Sequence, residues 1–252
     1  MLELDSARQA ILRELDAAVG RLEAVAPQDW DRPTRCEGWT VRHVAKHLNG
    51  GPAIMSEAFT RMNQGVSEAG GMPGIQLGDD PGEIIGALRS SRARLADVLG
   101  TLTPDGIQAP CPLPFGTFPG FVALHILTME MGVHHSDIQA ALGEELPLPA
   151  DITDATILLS SNFHAIAEPP TEQPEDGIAY RITSPSASIA LVRRDGSWEA
   201  GEDPSARTCE IGGDDSAVAL FVMGRIPADH AWLTVGSEPE LAGKFKAYFP
   251  GP

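Results

Sequence analysis

Between Ser6 and Gly143 the chain carries four long runs in which apolar side chains recur every three or four residues, a pattern that buries its apolar face by packing helix on helix. Ile11, Leu15, Val19, Leu22 and Val25 mark the first run, about 6–26, which Pro27 closes. Thr40 is a suitable N-cap for the second, through Val41, Val44 and Leu48 to Met62. The glycine-rich stretch 63–80 reads as a long loop, and Pro81 then opens a third run through Ile84, Leu88, Leu95, Leu99 and Leu102. Pro104, Pro110, Pro112 and Pro114 exclude helix from 103–116. The fourth run, Phe121, Leu124, Leu127, Met131, His134, Ile138 and Ala141, stops at Gly143. Together these predict an up-and-down four-helix bundle over residues 1–149.

Beyond Pro149 the texture changes. One more helix, about 151–167, ends at Glu168-Pro169-Pro170. Residues 178–183, 188–193 and 207–211 carry β-branched alternation between turn-rich breaks such as Arg194-Asp195-Gly196-Ser197, with the first two as antiparallel neighbours. Asp214 or Asp215 caps a helix through Val222, residues 231–235 read as a strand, and 239–249 as a closing amphipathic helix. The predicted fold class is α+β: the bundle, then a smaller α+β domain over 150–252.

The chain holds 18 Lys+Arg against 35 Asp+Glu, a net charge of −17. That charge divides as −8 over residues 1–150 and −9 over the rest, so no basic face exists to meet a phosphate backbone or an anionic membrane. The charged, amphipathic start lacks the apolar core of a signal peptide, and no run reaches the roughly 18 apolar residues of a membrane span. A cytoplasmic protein, monomeric or weakly dimeric, is expected. Cys36, Cys111 and Cys209 are odd in number and far apart, which excludes a disulfide framework and a Cys-x-x-Cys knuckle; each reads as a packed thiol.

Glu130 and His134 are four residues apart on the fourth helix and share the row of Leu127, Ile138 and Ala141. A carboxylate and an imidazole directed into a bundle interior need compensation, since an unpaired buried charge is costly. Zinc or another divalent metal would supply it, because zinc accepts both donor types and bundle cores collect ligands from facing helices. His47, beside Val44 and Leu48, is the best-placed third ligand, and three protein ligands would leave the open position of a catalytic site. The alternative is an ordinary helical Glu–His pair. His43 falls in the first turn of its helix and is expected to face solvent. His135, rotated about 100° from His134, reads as a pocket or surface residue. Asp137 reads either as an orienting partner of a ligand or as a surface salt bridge. His125, His164 and His230 show no partner pattern and read as satisfied or exposed imidazoles. No dinucleotide fingerprint, phosphate loop, nucleophile elbow or His-Glu-x-x-His is present. Arg225, after Met223-Gly224, either satisfies helix-terminal carbonyls or clamps a substrate carboxylate.

The string from Asp29 to Val41, DWDRPTRCEGWTV, followed by His47-Leu48, closely resembles the N-terminal signature of the mycothiol-dependent maleylpyruvate isomerase family. The resemblance continues through Glu130-x-x-x-His134-His135-x-Asp137, Leu220 to Arg225, Val235-Gly236 and Phe249 to Pro252. It implies a DinB-like metal-binding bundle joined to a domain similar to sterol-carrier proteins, with zinc ligands at His47, Glu130 and His134 and a residue important for activity at Arg225. It also implies mycothiol as cosubstrate, its metal-bound thiolate adding to a small electrophile, an anionic one in the prototype, the cis–trans isomerisation of maleylpyruvate. His43 stands where such proteins often carry an acid that completes a capping box, and Thr128 where a basic residue is common. Two further readings are a mycothiol conjugation step in specialised biosynthesis or detoxification, and a non-catalytic small-molecule-binding protein with a structural metal or none.

Overall fold

In the computed structural model residues 3–71, 77–160, 172 and 174–250 are described, and the chain divides into two compact units, Met1–Ala155 and Thr156–Pro252. The first holds helices α1 (Leu4–Glu23), α2 (Val41–Asn63), α3 (Pro81–Thr101) and α4 (Gly120–Ala141). Both α1 and α2 pack on α3 and α4, so the four close around one core that includes Ile11, Leu15, Leu48, Phe59, Leu88, Leu95 and Leu127.

Local chemistry fixes where these helices begin. Thr40 and His43 form a capping box in which the imidazole replaces the usual acid: the Thr40 amide donates to His43 Nδ1 at 3.1 Å. His43 is exposed, as expected, but it is tied to the helix start. Asp80 accepts from the Glu83 amide at 2.8 Å, with Pro81 in the first turn of α3.

Two features of this unit depart from the sequence reading. The proline-rich segment is not helical, but it forms a hairpin of β1 (Pro110–Leu113) and β2 (Gly116–Pro119). Pro110 and Pro112 stand two apart, so both place their missing N–H on the same edge, and a strand with so few donors gives little sequence signal. The second feature is α4, which is not amphipathic around the site: every residue from Met131 to Ile138 is buried. Its far side is covered by α5 (Ala150–Ser160), whose Ile152 lies directly over Gly132.

Helix α5 spans the division between the units; of the run expected over 151–167, residues 161–167 lie outside the described residues, as does His164. The second unit is a five-stranded sheet in the order β5-β4-β3-β6-β7, formed by β3 (Ile178–Thr183), β4 (Ser188–Arg194), β5 (Ser197–Ala200), β6 (Arg207–Gly213) and β7 (Leu233–Ser237). Only β3 and β6 pair in parallel. Tyr180, Leu191 and Cys209 are in register, as are Ile182, Ile189 and Ile211, giving a buried face two layers deep. Helices α6 (Asp215–Val222) and α7 (Pro239–Tyr248) pack on the sheet, and the Tyr180 hydroxyl donates to the Leu241 carbonyl at 2.7 Å. Strand β7 begins two residues later than the alternation suggests. Strand β5 carries no alternation of its own and begins at Ser197, the last residue of the break 194–197, where Asp195-Gly196, with φ of 46° and 77°, is the left-handed pair that a tight hairpin demands.

Gly132 tests the packing. A Cβ there would collide with the Ile152 side chain. Gly132→Ala is therefore expected to destabilise the protein by about 1–2 kcal/mol, overpacking outweighing the better helix propensity of alanine. Urea denaturation checks this, and a stabilised variant would show that α5 yields.

Candidate metal centre

Packing of α2 against α4 brings together residues 83 apart: His47 Nε2 lies 3.0 Å from Glu130 Oε2. His134 Nε2, one turn along α4, lies 3.5 Å from the same oxygen. The two imidazole centroids are 4.6 Å apart, and the three candidate donor atoms all fall within 4.8 Å of one another. Around a tetrahedral zinc with bonds near 2.05 Å, ligand atoms are separated by about 3.3 Å. The cluster therefore has the spacing and the donor set, two imidazole nitrogens and one carboxylate oxygen, that such an ion takes. His134 is closed off at 7% side-chain exposure, while His47 and Glu130 are 36% and 26% exposed, so the centre opens to solvent on one side.

The other nitrogen of His134 is also engaged. Nδ1 lies 3.1 Å from Asp137 Oδ2, and Asp137 is fully buried, not the surface salt bridge that was one reading of the sequence. With Nδ1–H donated to this carboxylate, the Nε2 lone pair faces Glu130 and His47, the arrangement by which an outer carboxylate fixes the tautomer of a ligating histidine. Trp39 covers the imidazoles, stacked on His134 at 6.0 Å and 14° and tilted against His47 at 5.0 Å. Trp39 is placed by a turn in which its amide donates to the Cys36 carbonyl at 3.0 Å, with Gly38 at φ 75°.

Electrostatics follow from this crowding. Burial pushes the Glu130 carboxyl up, but hydrogen bonds with His134 and His47 outweigh it and hold the group well below the ordinary carboxylate range. Burial pushes His134 down, and Asp137, Cys36 and Glu130 together more than reverse it, leaving the imidazole well above its usual value. A cation binding here would displace a proton from His134.

Other residues depart from the sequence reading in instructive ways. His135 is buried, its Nδ1 2.7 Å from Glu14 Oε2 on α1; Glu14 is also held by Arg13, which reaches Asp151. Glu14 falls on the apolar face of the first run, and a carboxylate in a buried row was the signal for this pair. Cys111 and Cys209 are the packed thiols expected, both pushed up to about 11 by burial. Cys36 is not: it is half-buried, with Sγ 3.1 Å from Asp137 Oδ2. His125 is a satisfied core imidazole, with Nδ1 2.6 Å from the Phe121 carbonyl. Arg225 lies in the second unit, where Nη1 donates to the Met223 carbonyl at 2.7 Å, the helix-terminal role.

A four-helix bundle carrying a His–Glu–His cluster and followed by a five-stranded α+β unit defines a two-domain class built around a candidate metal centre. Residues 10–139 match the model of the mycothiol maleylpyruvate isomerase N-terminal domain, and the chain belongs to that family. The crystal structure of the mycothiol-dependent maleylpyruvate isomerase superposes with a TM-score of 0.66 over 93% of both chains at 16% identity. A histidine-to-alanine mutant of such an isomerase gives the same TM-score at 15% identity. At this identity the likeness is one of fold. Two uncharacterized proteins of Mycobacterium tuberculosis, Rv0738 of strain H37Rv and MT0763 of strain CDC 1551, are 26% identical over 140 residues, covering 56% of this chain and 69% of theirs. Among the described residues no helix is long and apolar enough to cross a membrane.

Glu14 gives its contact with His135 a pH dependence whose sign follows from the carboxyl. Burial pushes the Glu14 carboxyl up, but hydrogen bonds from His135 and Arg13 outweigh it, so its folded value lies below the ordinary 4.5. Its stabilisation is therefore complete above that value and lost as pH falls through the lower, folded one. Glu14→Gln is expected to lose about 1–3 kcal/mol at pH 7. Its deficit relative to wild type should shrink as the medium is acidified, which urea titrations in steps from pH 7 to about pH 3 would show; a deficit constant with pH would mean the charge on Glu14 is immaterial.

Proposed function

We propose that the protein is a metal-dependent enzyme that uses mycothiol as cosubstrate, the thiol adding to a small, electrophilic, anionic molecule, with the cis–trans isomerisation of a maleylpyruvate-type compound as the prototype. The observation that carries this reading is the convergence of His47 Nε2, Glu130 Oε2 and His134 Nε2 on one point of the bundle that is open on one side. Zinc or another divalent cation, when bound by these three, supplies the Lewis acidity that favours a thiolate at neutral pH. Asp137 keeps His134 in the ligating tautomer by accepting from Nδ1–H. Trp39 shields both imidazoles on one side and excludes water there. The thiol sulfur adds to the activated double bond, the resulting single bond rotates, and elimination restores the double bond as trans and returns the thiol. With an electrophile that does not eliminate, the same addition ends as a conjugate.

Arg225 is assigned to the substrate carboxylate. It lines a groove of about 780 Å³ in the second unit together with Lys246, Phe221, Ile226 and Phe245. Two cationic groups, Arg225 and Lys246, against one acid, Asp229, beside aromatic and aliphatic side chains suit a carboxylate on an apolar body. The same groove favours a second reading, a binding protein that holds such a molecule without turning it over.

Elemental analysis and titration with mycothiol separate the two. About one divalent metal per chain with thiol binding is expected of the enzyme, and neither after metal loading is expected of the binding protein. His47→Ala and His134→Ala should each abolish metal retention, because two remaining protein ligands hold an open-site metal poorly; full stoichiometric metal in either variant rejects this centre. Arg225→Ala should leave metal content intact and reduce turnover of a carboxylate substrate by about 10- to 100-fold, the loss of one charge-assisted bidentate contact. Unchanged turnover would confine Arg225 to capping α6.

A further inference from the structure

We propose that Cys36 is a positioning residue for His134, acting through Asp137, so that the thiol and the metal centre are coupled. The proposal rests on the assignment of His134 as a metal ligand. Cys36 Sγ lies 3.1 Å from Asp137 Oδ2, the oxygen that also lies 3.1 Å from His134 Nδ1, and 3.9 Å from Nδ1 itself. Asp137 is fully buried, so protein donors, not bulk water, set the direction of its carboxylate. With the S–H donated to Oδ2, the carboxylate oxygen that meets His134 is held from a second element, the loop before α2.

The loop bearing Cys36 is built to hold that contact. Thr34 Oγ1 accepts from the Cys36 amide at 3.2 Å, the Cys36 carbonyl accepts from the Trp39 amide at 3.0 Å, and the Thr34 amide donates to the Trp39 carbonyl at 2.8 Å. Arg35 ties the loop to the segment after α4 through Glu145 at 3.0 Å. One closed turn thus places an indole over the face of the His134 ring and a thiol against the carboxylate at its Nδ1 edge. His134 is gripped from two directions by residues three apart in sequence.

Coupling of this kind is reciprocal: if the thiol helps His134 hold a cation, the cation must alter the thiol. Cys36 is half-buried, whereas Cys111 and Cys209 are fully buried, so a native-state thiol reaction is expected to report on Cys36. The experiment uses the full chain with zinc as the probe. Zinc affinity by chelator competition is expected to fall about 10-fold in Cys36→Ala and to stay within about threefold of wild type in Cys36→Ser, which keeps a donor, against a loss of about 10- to 100-fold in Asp137→Asn. The urea midpoints of metal-free Cys36→Ala and Cys36→Ser should coincide. The rate of iodoacetamide reaction at Cys36 should change on zinc loading in wild type and be insensitive to saturating zinc in Asp137→Asn.

Wild-type affinity in Cys36→Ala overturns the proposal by reducing Cys36 to packing, and an equal loss in Cys36→Ser overturns it by showing that the sulfur itself, not a donated hydrogen bond, holds the ion. A zinc effect on labelling that persists in Asp137→Asn also overturns it, since shielding by the ion would then suffice. These outcomes leave the metal centre standing as long as wild type binds zinc and His134→Ala does not. Zinc binding that survives His134→Ala removes the centre and the proposal together.

Discussion

An imidazole buried between two carboxylates is the constraint around which the first unit is arranged. His134 has almost no access to water, and each ring nitrogen meets an acid: Glu130 at Nε2 and Asp137 at Nδ1. Neither acid could remain in a helical interior without the other elements that converge on it. His47 on α2 answers Glu130, and Cys36 on the loop before α2 answers Asp137. The next residue, His135, repeats the motif on another side of α4 with Glu14 of α1. Polar groups of this number inside a small core are tolerable only when each is matched, and the matching partners fix how α1, α2 and the intervening loop must lie on α4.

Much of the architecture is visible in the sequence because helices and strands of this protein obey their own periods. The spacing of Ile11, Leu15 and Leu22, the Thr40 cap and the Pro81 start locate α1, α2 and α3 to within a few residues. Strand β3 follows its β-branched alternation without a shift. The elements that escape are those whose residues say two things at once. Prolines that rule out helix also remove the donors by which a strand is recognised, so β1 hides among them. A hairpin of four residues after Asp195-Gly196 looks like part of the turn that makes it.

The site divides along the same line. His47, Glu130 and His134 fall on helix faces that periodicity turns inward, and the structure brings their donor atoms together. Spacing leaves Asp137 open between an orienting partner and a surface salt bridge, and His135 between pocket and surface, because an amphipathic helix has one buried face against one wet one. Helix α4 is enclosed on every side between Met131 and Ile138, by α1, α2, α5 and the Cys36 loop, and no pattern within a helix announces that its polar face is also covered. Cys36 escaped for a different reason: a contact between residues 101 apart belongs to the loop's closed shape, which Gly38 and Thr34 determine only once both are folded.

The separation of the donors along the chain has a thermodynamic corollary. Before α2 has docked on α4, Glu130 and His134 are neighbours on one helix and the set of three donors is incomplete. The third donor arrives from 83 residues away, and only with bundle closure. A cation held by all three donors would therefore be linked to bundle closure, and its free concentration would favour the native state to the extent that it binds that state more tightly than the unfolded chain.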